Sequence, residues 1–267
     1  MKVLDLFAGI GGFSLGLERA GFETVQFCEI EPNCQKVLKK HWPNVPIHSD
    51  IATLDGKRLR GQVQVITGGF PCQDISTAGA QRGMIDAKKY SKAIEEGHTH
   101  EEAERLSRTR SGLWAEYSRL IGEIKPTYVV IENVGNLRSN GLVTVLQDLW
   151  RLGYDAEWHI ISAKSITPAW HERKRIWIIA VPHGHHFRLC EEALTTKEEK
   201  SEWWAKATAK LRAWWPSKPT FRGTVDGLPG RLDKPRQLRI KQLGNAVVPQ
   251  IPEFIGTRIM EYERNKK

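Results

Sequence analysis

The sequence lacks any apolar stretch long enough to cross a membrane, and it is poor in cysteine. No uninterrupted apolar run approaches the roughly 18 residues that a membrane span needs, and the start, MKVLDLFAGIGG, has no signal-peptide core followed by a cleavage site. The four cysteines are too few for a disulfide scaffold and occur at no metal-ligand spacing. We therefore expect a soluble globular protein of a reducing cytoplasm, with no bound metal.

Charge is distributed unevenly along the 267 residues, which carry a formal net charge of +9. Residues 1–133 hold 17 basic and 17 acidic side chains, whereas residues 134–267 hold 23 and 14. Within Trp203–Lys241 there are ten basic and two acidic residues. Clustered Lys and Arg favour a polyanionic partner, because they displace counterions from phosphates. A solvated basic face explains the same charge equally well, so charge alone leaves both interpretations open.

Segments typical of strands and helices alternate through most of the chain. Such alternation predicts an α/β fold with a doubly wound, mostly parallel sheet, and ligands bind at the carboxyl ends of the strands in these sheets. The predicted strands are Lys2–Phe7, Thr24–Glu29, Val45–Asp50, Val63–Thr67, Thr127–Glu132, Glu157–Ser162 and Arg175–Val181, and the predicted helices are Gly11–Gly21, Pro32–Trp42, Gly112–Ile124, Leu142–Leu152 and one at the C-terminus.

Two regions interrupt this alternation. Ala87–Thr109 is charged and poor in large apolar residues, which predicts a solvated helical insertion. Its His98 and His100 lie two residues apart, which suits a metal poorly on a helix, so we expect them on the surface. Residues 182–234 lose the alternation and form, in our prediction, a small separate lobe. The main domain then comprises residues 1–181 and 235–267.

A glycine-rich segment, DLFAGIGGF, follows the first predicted strand. Glycines there let the backbone approach a ligand closely, and the helix behind them attracts a negative group. The spacing is not the dinucleotide pattern GxGxxG. Glu29 and Asp50 end the next two strands, where they suit a ribose and an adenine amino group. The pattern indicates a nucleoside-bearing cofactor, and a plain tight turn with two surface acids is the alternative.

Reactive side chains lie at the ends of two later strands. Cys72 comes just after Gly68–Pro71, and a nucleophilic role would need a nearby positive group. Cys28 and Cys34 lie in apolar contexts, which favours packing. Glu132 ends a strand on the same expected edge, where burial would raise its pKa and let it donate a proton to a ring nitrogen.

In chain order, DLFAGIGGFSLGLERAG, GGFPCQ, ENV, the RKR triplet at 173–175 and GNAVVP resemble the signature blocks of the cytosine-C5 DNA methyltransferase family, of bacterial or phage type. The resemblance implies a Rossmann-like methyltransferase domain that transfers a methyl group from S-adenosylmethionine to C5 of a flipped cytosine in duplex DNA. It implies that Cys72 adds to C6, that Glu132 assists at N3, that Arg175 steadies O2, and that Arg173 binds near the nucleophile's loop.

The resemblance also assigns binding roles to two further sets of residues. The residues implied around the cofactor are Phe7, Ala8, Gly9, Gly11, Gly12, Glu29, Ile30, Asp50, Ile51, Gly69, Pro71, Leu113, Asn245 and Val247. The residues implied at the DNA are Gln73, Ser76 and Arg82 after the nucleophile, and Lys206, Lys210, Arg212, Lys218 and Arg222 in the lobe, which falls where the family has its target-recognition domain.

Several features depart from the family pattern or stay open. His171 stands where a glutamine is expected, and the block below the recognition domain is reduced to Arg231–Lys241. We hypothesise that the insertion at Ala87–Thr109 lengthens the lid over the flipped base or adds a DNA contact. The tryptophan pairs Trp203-Trp204 and Trp214-Trp215 form either the lobe's own core or stacking surfaces for bases.

Alternatives remain for substrate and activity. RNA could replace DNA, because one branch of the family methylates transfer RNA with the same blocks, and a non-catalytic DNA-binding relative is the alternative from another class. Retention of Cys72, Glu132 and Arg175 argues against the second. We expect a monomer. The recognition sequence and the existence of a cognate restriction endonuclease do not follow from the sequence.

Overall fold

A seven-stranded sheet forms the centre of the protein in the computed structural model. The structure describes residues 1–71, 91–92, 94–97, 99–100, 111–139, 141–163, 173–189 and 245–266. The strands are β1 (Lys2–Leu6), β2 (Glu23–Cys28), β3 (Ile47–His48), β4 (Val65–Gly68), β5 (Tyr128–Val134), β6 (Tyr154–Ser162) and β7 (Lys174–Pro182). The helices are α1 (Gly12–Arg19), α2 (Pro32–His41), α3 (Ser111–Ile124), α4 (Leu142–Arg151) and α5 (Gln250–Asn265), and short 3₁₀ turns span Ile51–Thr53, Gly56–Leu59 and Gly135–Arg138.

The strand order is β3-β2-β1-β4-β5-β7-β6, and the pairs from β3 to β5 are parallel. The chain therefore builds outward from β1 in one direction through β2 and β3, and in the other through β4 and β5. This confirms the predicted α/β, doubly wound, mostly parallel sheet. The direction of winding reverses between β1 and β4, which is the place where such sheets bind ligands.

Strand β7 runs against its neighbours. It pairs antiparallel with both β5 and β6, over nine residues in the second case. Its first residues therefore lie beside the last residues of β5, with Arg175 opposite Val134. Side chains at the start of β7 thus reach the same edge of the sheet as side chains at the ends of the parallel strands.

Helices cover both faces of the sheet. On one face, α3 and α4 pack on the strands through a cluster that contains Trp114, Tyr117 and Leu149. On the other face, α1 and α5 pack through a cluster that contains Phe13 and Ile255. Within the described residues, no helix is both long and apolar enough to cross a membrane.

The predicted elements differ from the observed ones mainly at their ends. The strand predicted at Val45–Asp50 pairs only at Ile47 and His48, because Pro46 lacks an N–H group and Asp50 caps the following 3₁₀ turn. Within the predicted insertion, Lys92 and Glu96 form an exposed ion pair one helical turn apart. His100 is exposed, which agrees with the predicted surface position, whereas residues 87–90, 93, 98 and 101–109 lie outside the described residues.

Only the first residues of the predicted lobe fall within the described part of the chain. Phe187 and Leu189 are buried against the main domain, in the same cluster as α1 and α5. The backbone N–H of Leu189 donates to the Glu157 carboxylate at 2.6 Å. Residues 190–234 lie outside the described residues, so the division into a main domain and a lobe stays a prediction.

Close packing between α1 and the start of α5 fixes the C-terminal segment over the first helix. An added methyl group at Gly16 would overlap the carbonyl oxygen of Pro249 and lie 2.7 Å from Cγ of Pro252. At Gly12 it would lie 2.5 Å from the carbonyl oxygen of Val247. The two glycines therefore allow residues 247–252 to pack directly against α1.

We predict that Gly16→Ala destabilises the protein by about 1–3 kcal/mol, the usual cost of overpacking a well-packed core. Denaturant unfolding followed by circular dichroism measures this. Gly122→Ala is the matched control, since an added methyl group on α3 meets only the Leu152 side chain at 3.1 Å. Alanine gains helix propensity at both sites, so a stable Gly16→Ala variant would contradict the proposed close contact.

Candidate active site

The loops that follow β1 and β4 flank the point where the sheet reverses its winding. The loop after β1 contains Phe7–Gly11, and the loop after β4 contains Gly69–Pro71. β1 and β4 are hydrogen-bonded neighbours, with Leu6 opposite Gly68. The predicted cofactor residues and the segment that leads to Cys72 therefore start from adjacent strand ends.

The loop after β1 has an unusual backbone and rests on a tryptophan. Phe7, Gly9 and Gly11 have φ angles of 52°, 55° and 85°, which lie in the left-handed region that favours glycine. An added Cβ at Gly11 would be 2.5 Å from the Trp42 ring. The Trp42 Nε1–H donates to Glu18 Oε1 at 2.7 Å. Trp42 thus fixes the base of the loop, and only glycine fits above it.

The Glu29 carboxylate holds this loop against the end of β2. Its Oε2 accepts from the Gly9 N–H at 2.7 Å, and its Oε1 accepts from the Glu31 N–H at 2.8 Å. Each carboxylate oxygen has a second acceptor position, so Glu29 has capacity for a pair of ribose hydroxyls. The next side chain, Ile30, is 72% exposed, which leaves an apolar surface beside this acceptor.

Residues predicted around an adenine ring lie on two different elements. Asp50 Oδ1 caps the 3₁₀ turn by accepting from the Ala52 N–H at 3.0 Å. Ile51 is buried, and Leu113 in the first turn of α3 packs partly buried against the same core cluster. The other two predicted cofactor residues outside the loops lie before α5: Asn245 is exposed, and Val247 contacts the Gly12 backbone.

An asparagine on β5 fixes the segment that leads to Cys72. The Asn133 Nδ2 donates to the Phe70 carbonyl at 2.9 Å, and its Oδ1 accepts from the Val134 N–H at 2.8 Å. The side chain is buried, with 4% exposure. Gly69 lies so close to β5 that an added Cβ would be 2.9 Å from Glu132 Oε2. The backbone just before Cys72 is thus held against the end of β5, beside Glu132.

Glu132 and Arg175 form a largely buried ion pair at this edge. Arg175 Nε lies 3.0 Å from Glu132 Oε1, and the two side chains are 23% and 12% exposed. Burial raises the pKa of Glu132, and the charges of Arg175 and Arg173 only partly oppose this. A carboxyl group with a raised pKa retains its proton closer to neutral pH, which is what a general acid needs.

Arg173 lies just before β7, and its carbonyl accepts from the Ala163 N–H at 3.2 Å. Burial and the neighbouring Arg175 lower its pKa, while Glu132 opposes this. The structure therefore brings Arg173 and Arg175 together with Glu132, whereas the predicted position of Arg173 near the loop of Cys72 stays a prediction. The other predicted site residues lie outside the described residues: Cys72, Gln73, Ser76, Arg82, Lys206, Lys210, Arg212, Lys218 and Arg222.

Sequence reasoning missed three residues that shape this site. Asn133 holds the segment before Cys72, Trp42 supports the glycine turn, and Arg119 joins α3 to the turn that carries Asp50 and Ile51. A signal existed for Arg119, because Glu116 and Glu123 lie three and four residues from it on a predicted helix. No sequence signal identifies the contacts of Trp42, which are tertiary.

The profile of one protein family, described as C-5 cytosine-specific DNA methylase, matches residues 1–96 and 99–220. This match covers most of the sequence. The chain belongs to the C-5 cytosine-specific DNA methylase family. The resemblance read from the five sequence blocks is thereby confirmed.

Curated relatives of this chain are Type II methyltransferases. M.Eco47II of Escherichia coli is 31% identical over 185 residues, which cover 67% of this chain and 39% of the relative. M.AluI of Cellulosimicrobium cellulans is 33% identical over 193 residues, which cover 66% and 33%. The chain thus spans well under half the length of these relatives.

Solved structures share the fold of this chain. A prophage-encoded protein of E. coli superimposes with a TM-score of 0.61 at 16% identity, over 99% of both chains. The Entamoeba histolytica methyltransferase EhMeth gives a TM-score of 0.56 at 15% identity, over 100% of this chain and 98% of that one. At such identity the likeness shows the fold alone.

Methyl transfer, named in these relatives, requires a methyl donor. In the described part of the chain, no group of three or more His, Cys, Asp or Glu side chains could hold a metal ion.

One carboxyl group of the first signature block lies entirely inside the protein. Asp5 is 0% exposed, and its Oδ2 accepts from the Ser14 hydroxyl at 2.7 Å. Its Oδ1 has no hydrogen-bond partner among the described residues. Burial raises the pKa of Asp5 to about 7, although Ser14 opposes the shift. Asp5 joins β1 to the first turn of α1 on either side of the glycine loop.

We predict that Asp5 makes stability fall as the pH rises from about 4 to about 7. The unfolded carboxyl releases its proton near pH 4, whereas the folded one keeps it until about pH 7, so ionisation favours the unfolded state across this interval. Asp5→Asn stays neutral, and its stability relative to wild type should rise by about 4 kcal/mol over this range.

Urea unfolding at pH 4, 5, 6 and 7 measures the difference. Asp55→Asn, which removes an exposed carboxylate that caps a 3₁₀ turn, controls for loss of surface charge. If the difference in the free energy of unfolding between Asp5→Asn and wild type does not vary with pH, Asp5 is already ionised in the folded protein and the prediction is wrong.

Proposed function

We propose that the protein is a DNA (cytosine-5-)-methyltransferase that uses S-adenosylmethionine and acts on a cytosine flipped out of duplex DNA. The observation that carries the proposal is the Glu132–Arg175 pair, whose atoms are 3.0 Å apart, beside the backbone that leads to Cys72. A carboxyl group and a guanidinium together match the N3 and O2 edge of cytosine, and the family match supplies the reaction type.

The residues after β1 and β2 fit the cofactor. Glu29 retains acceptor capacity for the ribose hydroxyls, and Ile30 offers an apolar surface to the adenine. Gly9 and Gly11, whose φ angles are positive, have no side chain that could obstruct the ligand. Asp50, Ile51 and Leu113 would complete the adenine end. S-adenosylmethionine, when bound there, supplies an electrophilic methyl group.

In the proposed mechanism, the Cys72 thiolate forms a bond to cytosine C6. The electron pair of the C5–C6 double bond then moves into the C4–C5 bond, the electron pair of the N3–C4 double bond moves to N3, and N3 takes a proton from Glu132 while Arg175 holds O2. Carbon 5 becomes enamine-like and would take the methyl group of bound S-adenosylmethionine, whose sulfur would keep the electron pair of the broken S–CH3 bond in the product S-adenosylhomocysteine. Loss of the C5 proton to a base restores the C5–C6 double bond as the Cys72–C6 bond breaks, and N3 returns its proton to the Glu132 carboxylate, so that methylcytosine is released and the thiolate and the carboxyl group are regenerated. Covalent catalysis of this kind splits one difficult step into easier ones.

The protein must expose the target base before this chemistry can start. Extrusion of a cytosine from a duplex costs a few kcal/mol. The excess positive charge of residues 134–267 supports a role for the lobe in binding phosphates. We propose that Gln73, Ser76 and Arg82 face the DNA next to the nucleophile, and that Lys206, Lys210, Arg212, Lys218 and Arg222 do so from the lobe.

We predict that a duplex with 5-fluorocytosine at the target position forms a covalent adduct with the wild-type chain. Fluorine cannot leave C5 as a proton does, so the bond to Cys72 persists after methyl transfer. Bisulfite sequencing of DNA from cells that express the protein first identifies the target. Denaturing gels then show the adduct with S-adenosylmethionine present.

Two variants and one substrate exchange make this test specific. Cys72→Ala should form no adduct, whereas Cys34→Ala, which alters a buried cysteine on α2, should react as wild type does. An RNA strand of the same sequence tests the RNA alternative. An adduct with Cys72→Ala, or methylation at any atom other than cytosine C5, would refute the mechanism.

We predict that neutralising Lys206, Lys210 and Arg212 to glutamine weakens the salt dependence of DNA binding. Each lost phosphate contact reduces the slope of log K against log salt by about 0.9, so three contacts give a change of up to about 2.7 units. Fluorescence anisotropy at several salt concentrations measures it. The control with the same charge change is Lys36, Lys39 and Lys40 to glutamine on α2; equal slopes for both triple variants would contradict a DNA-binding role for the lobe.

A further inference from the structure

The two walls of the proposed adenine pocket belong to separate parts of the fold. Asp50 and Ile51 lie at the 3₁₀ turn after β3, and Leu113 lies in the first turn of α3. More than 60 residues separate them in the sequence. The width of the pocket therefore depends on the contacts that join α3 to that turn.

Arg119 provides hydrogen bonds between the turn and α3 from the middle of this helix, in addition to the apolar packing of Ile51 and Leu54 in the core cluster that contains α3. Its Nη2 donates to the carbonyl of Ile51 at 3.0 Å, and its Nη1 donates to the carbonyl of Leu54 at 3.2 Å. The two carbonyls bracket the 3₁₀ turn Ile51–Thr53. One guanidinium thus binds both ends of the turn to the helix.

Two carboxylates on the same helix fix the orientation of this guanidinium. Arg119 Nε donates to Glu116 at 2.7 Å, and Nη1 donates to Glu123 at 2.8 Å. Glu123 also accepts from the Gly56 N–H at 3.0 Å, just beyond the turn. The planar fork of arginine satisfies these partners together, whereas the single ammonium of lysine cannot reach both carbonyls and both carboxylates.

The turn has little stability of its own. A three-residue 3₁₀ helix has poor hydrogen-bond geometry, and the Leu54 N–H reaches the Ile51 carbonyl only at 3.4 Å. The Asp50 side chain caps the turn through the Ala52 N–H. Any displacement of the turn therefore moves Asp50 together with Ile51.

We infer that Arg119 is a positioning residue that sets the adenine end of the cofactor site, by holding the Asp50–Ile51 turn at a fixed distance from α3 and Leu113. The inference rests on the proposed function. Arg119 acts through the turn and helix, so its loss alters cofactor affinity and base selectivity rather than the methyl-transfer step.

The test compares Arg119→Lys with a matched control, Arg60→Lys. Arg60 also joins this segment to α3, since its Nε donates to the Glu123 carbonyl at 2.6 Å and its Nη2 to the Gly122 carbonyl at 3.3 Å. Those carbonyls lie near the opposite end of α3 from Leu113. Both variants thus lose arginine contacts with the same helix, but only one disturbs the adenine wall.

Isothermal titration calorimetry with S-adenosylhomocysteine and S-inosylhomocysteine provides the readout. The second ligand has a carbonyl in place of the adenine amino group, so the ratio of the two affinities reports on Asp50. Arg119→Lys should weaken S-adenosylhomocysteine binding about tenfold and bring the affinity ratio towards one. Arg60→Lys should keep both values near wild type. With saturating S-adenosylmethionine, Arg119→Lys should keep its kcat and its KM for DNA.

Each alternative result has a distinct meaning. If Arg119→Lys binds both ligands as wild type does, or if Arg60→Lys loses as much affinity and selectivity, the inference is wrong while the proposed function stands. If the wild-type chain binds neither ligand, both the proposed function and the inference are wrong. Thermal unfolding of the variants separates a loss of folding from a loss of affinity.

Discussion

The antiparallel direction of β7 is the constraint on which the rest of the site depends. In an all-parallel sheet, the first residues of a strand lie at the edge opposite to the carboxyl ends. Because β7 is reversed between β5 and β6, Arg175 lies opposite Val134 and forms its ion pair with Glu132. One reversed strand thus brings cations from the RKR segment to the carboxylate of the ENV segment.

The burial of this pair gives the carboxyl group its chemical character. Removal of Glu132 from water disfavours its ionised form, and the neighbouring arginines restore only part of the loss. The same burial requires close packing from the adjacent loop, where Asn133 fixes the Phe70 carbonyl and Gly69 leaves room for the Glu132 side chain. The last residues of β5 therefore determine both the surroundings of the Glu132 carboxyl group, the proposed general acid, and the path of the chain towards Cys72, the proposed nucleophile.

Much of the fold could be predicted from the sequence, because buried strands and amphipathic helices have strong local patterns. The ends of β1, β2 and β5 fall within two residues of prediction, and all three strands are in the predicted parallel arrangement. The reversed direction of β7 has no local signal, since a buried strand has the same composition in either direction. The motif blocks identified Glu29, Glu132 and Arg175, but the supporting contacts of Trp42, Asn133 and Arg119 depend on distant partners.

The central claim is that Cys72, Glu132 and Arg175 act together on one cytosine at the carboxyl edge of the sheet. A crystal structure of the chain linked to a 5-fluorocytosine duplex tests it most directly. The account predicts a bond from Cys72 Sγ to C6, with a Glu132 carboxyl oxygen within hydrogen-bond distance of N3 and the Arg175 guanidinium within that distance of O2. A cytosine bound elsewhere, or one linked to Cys72 with its N3 facing away from Glu132, would contradict the account.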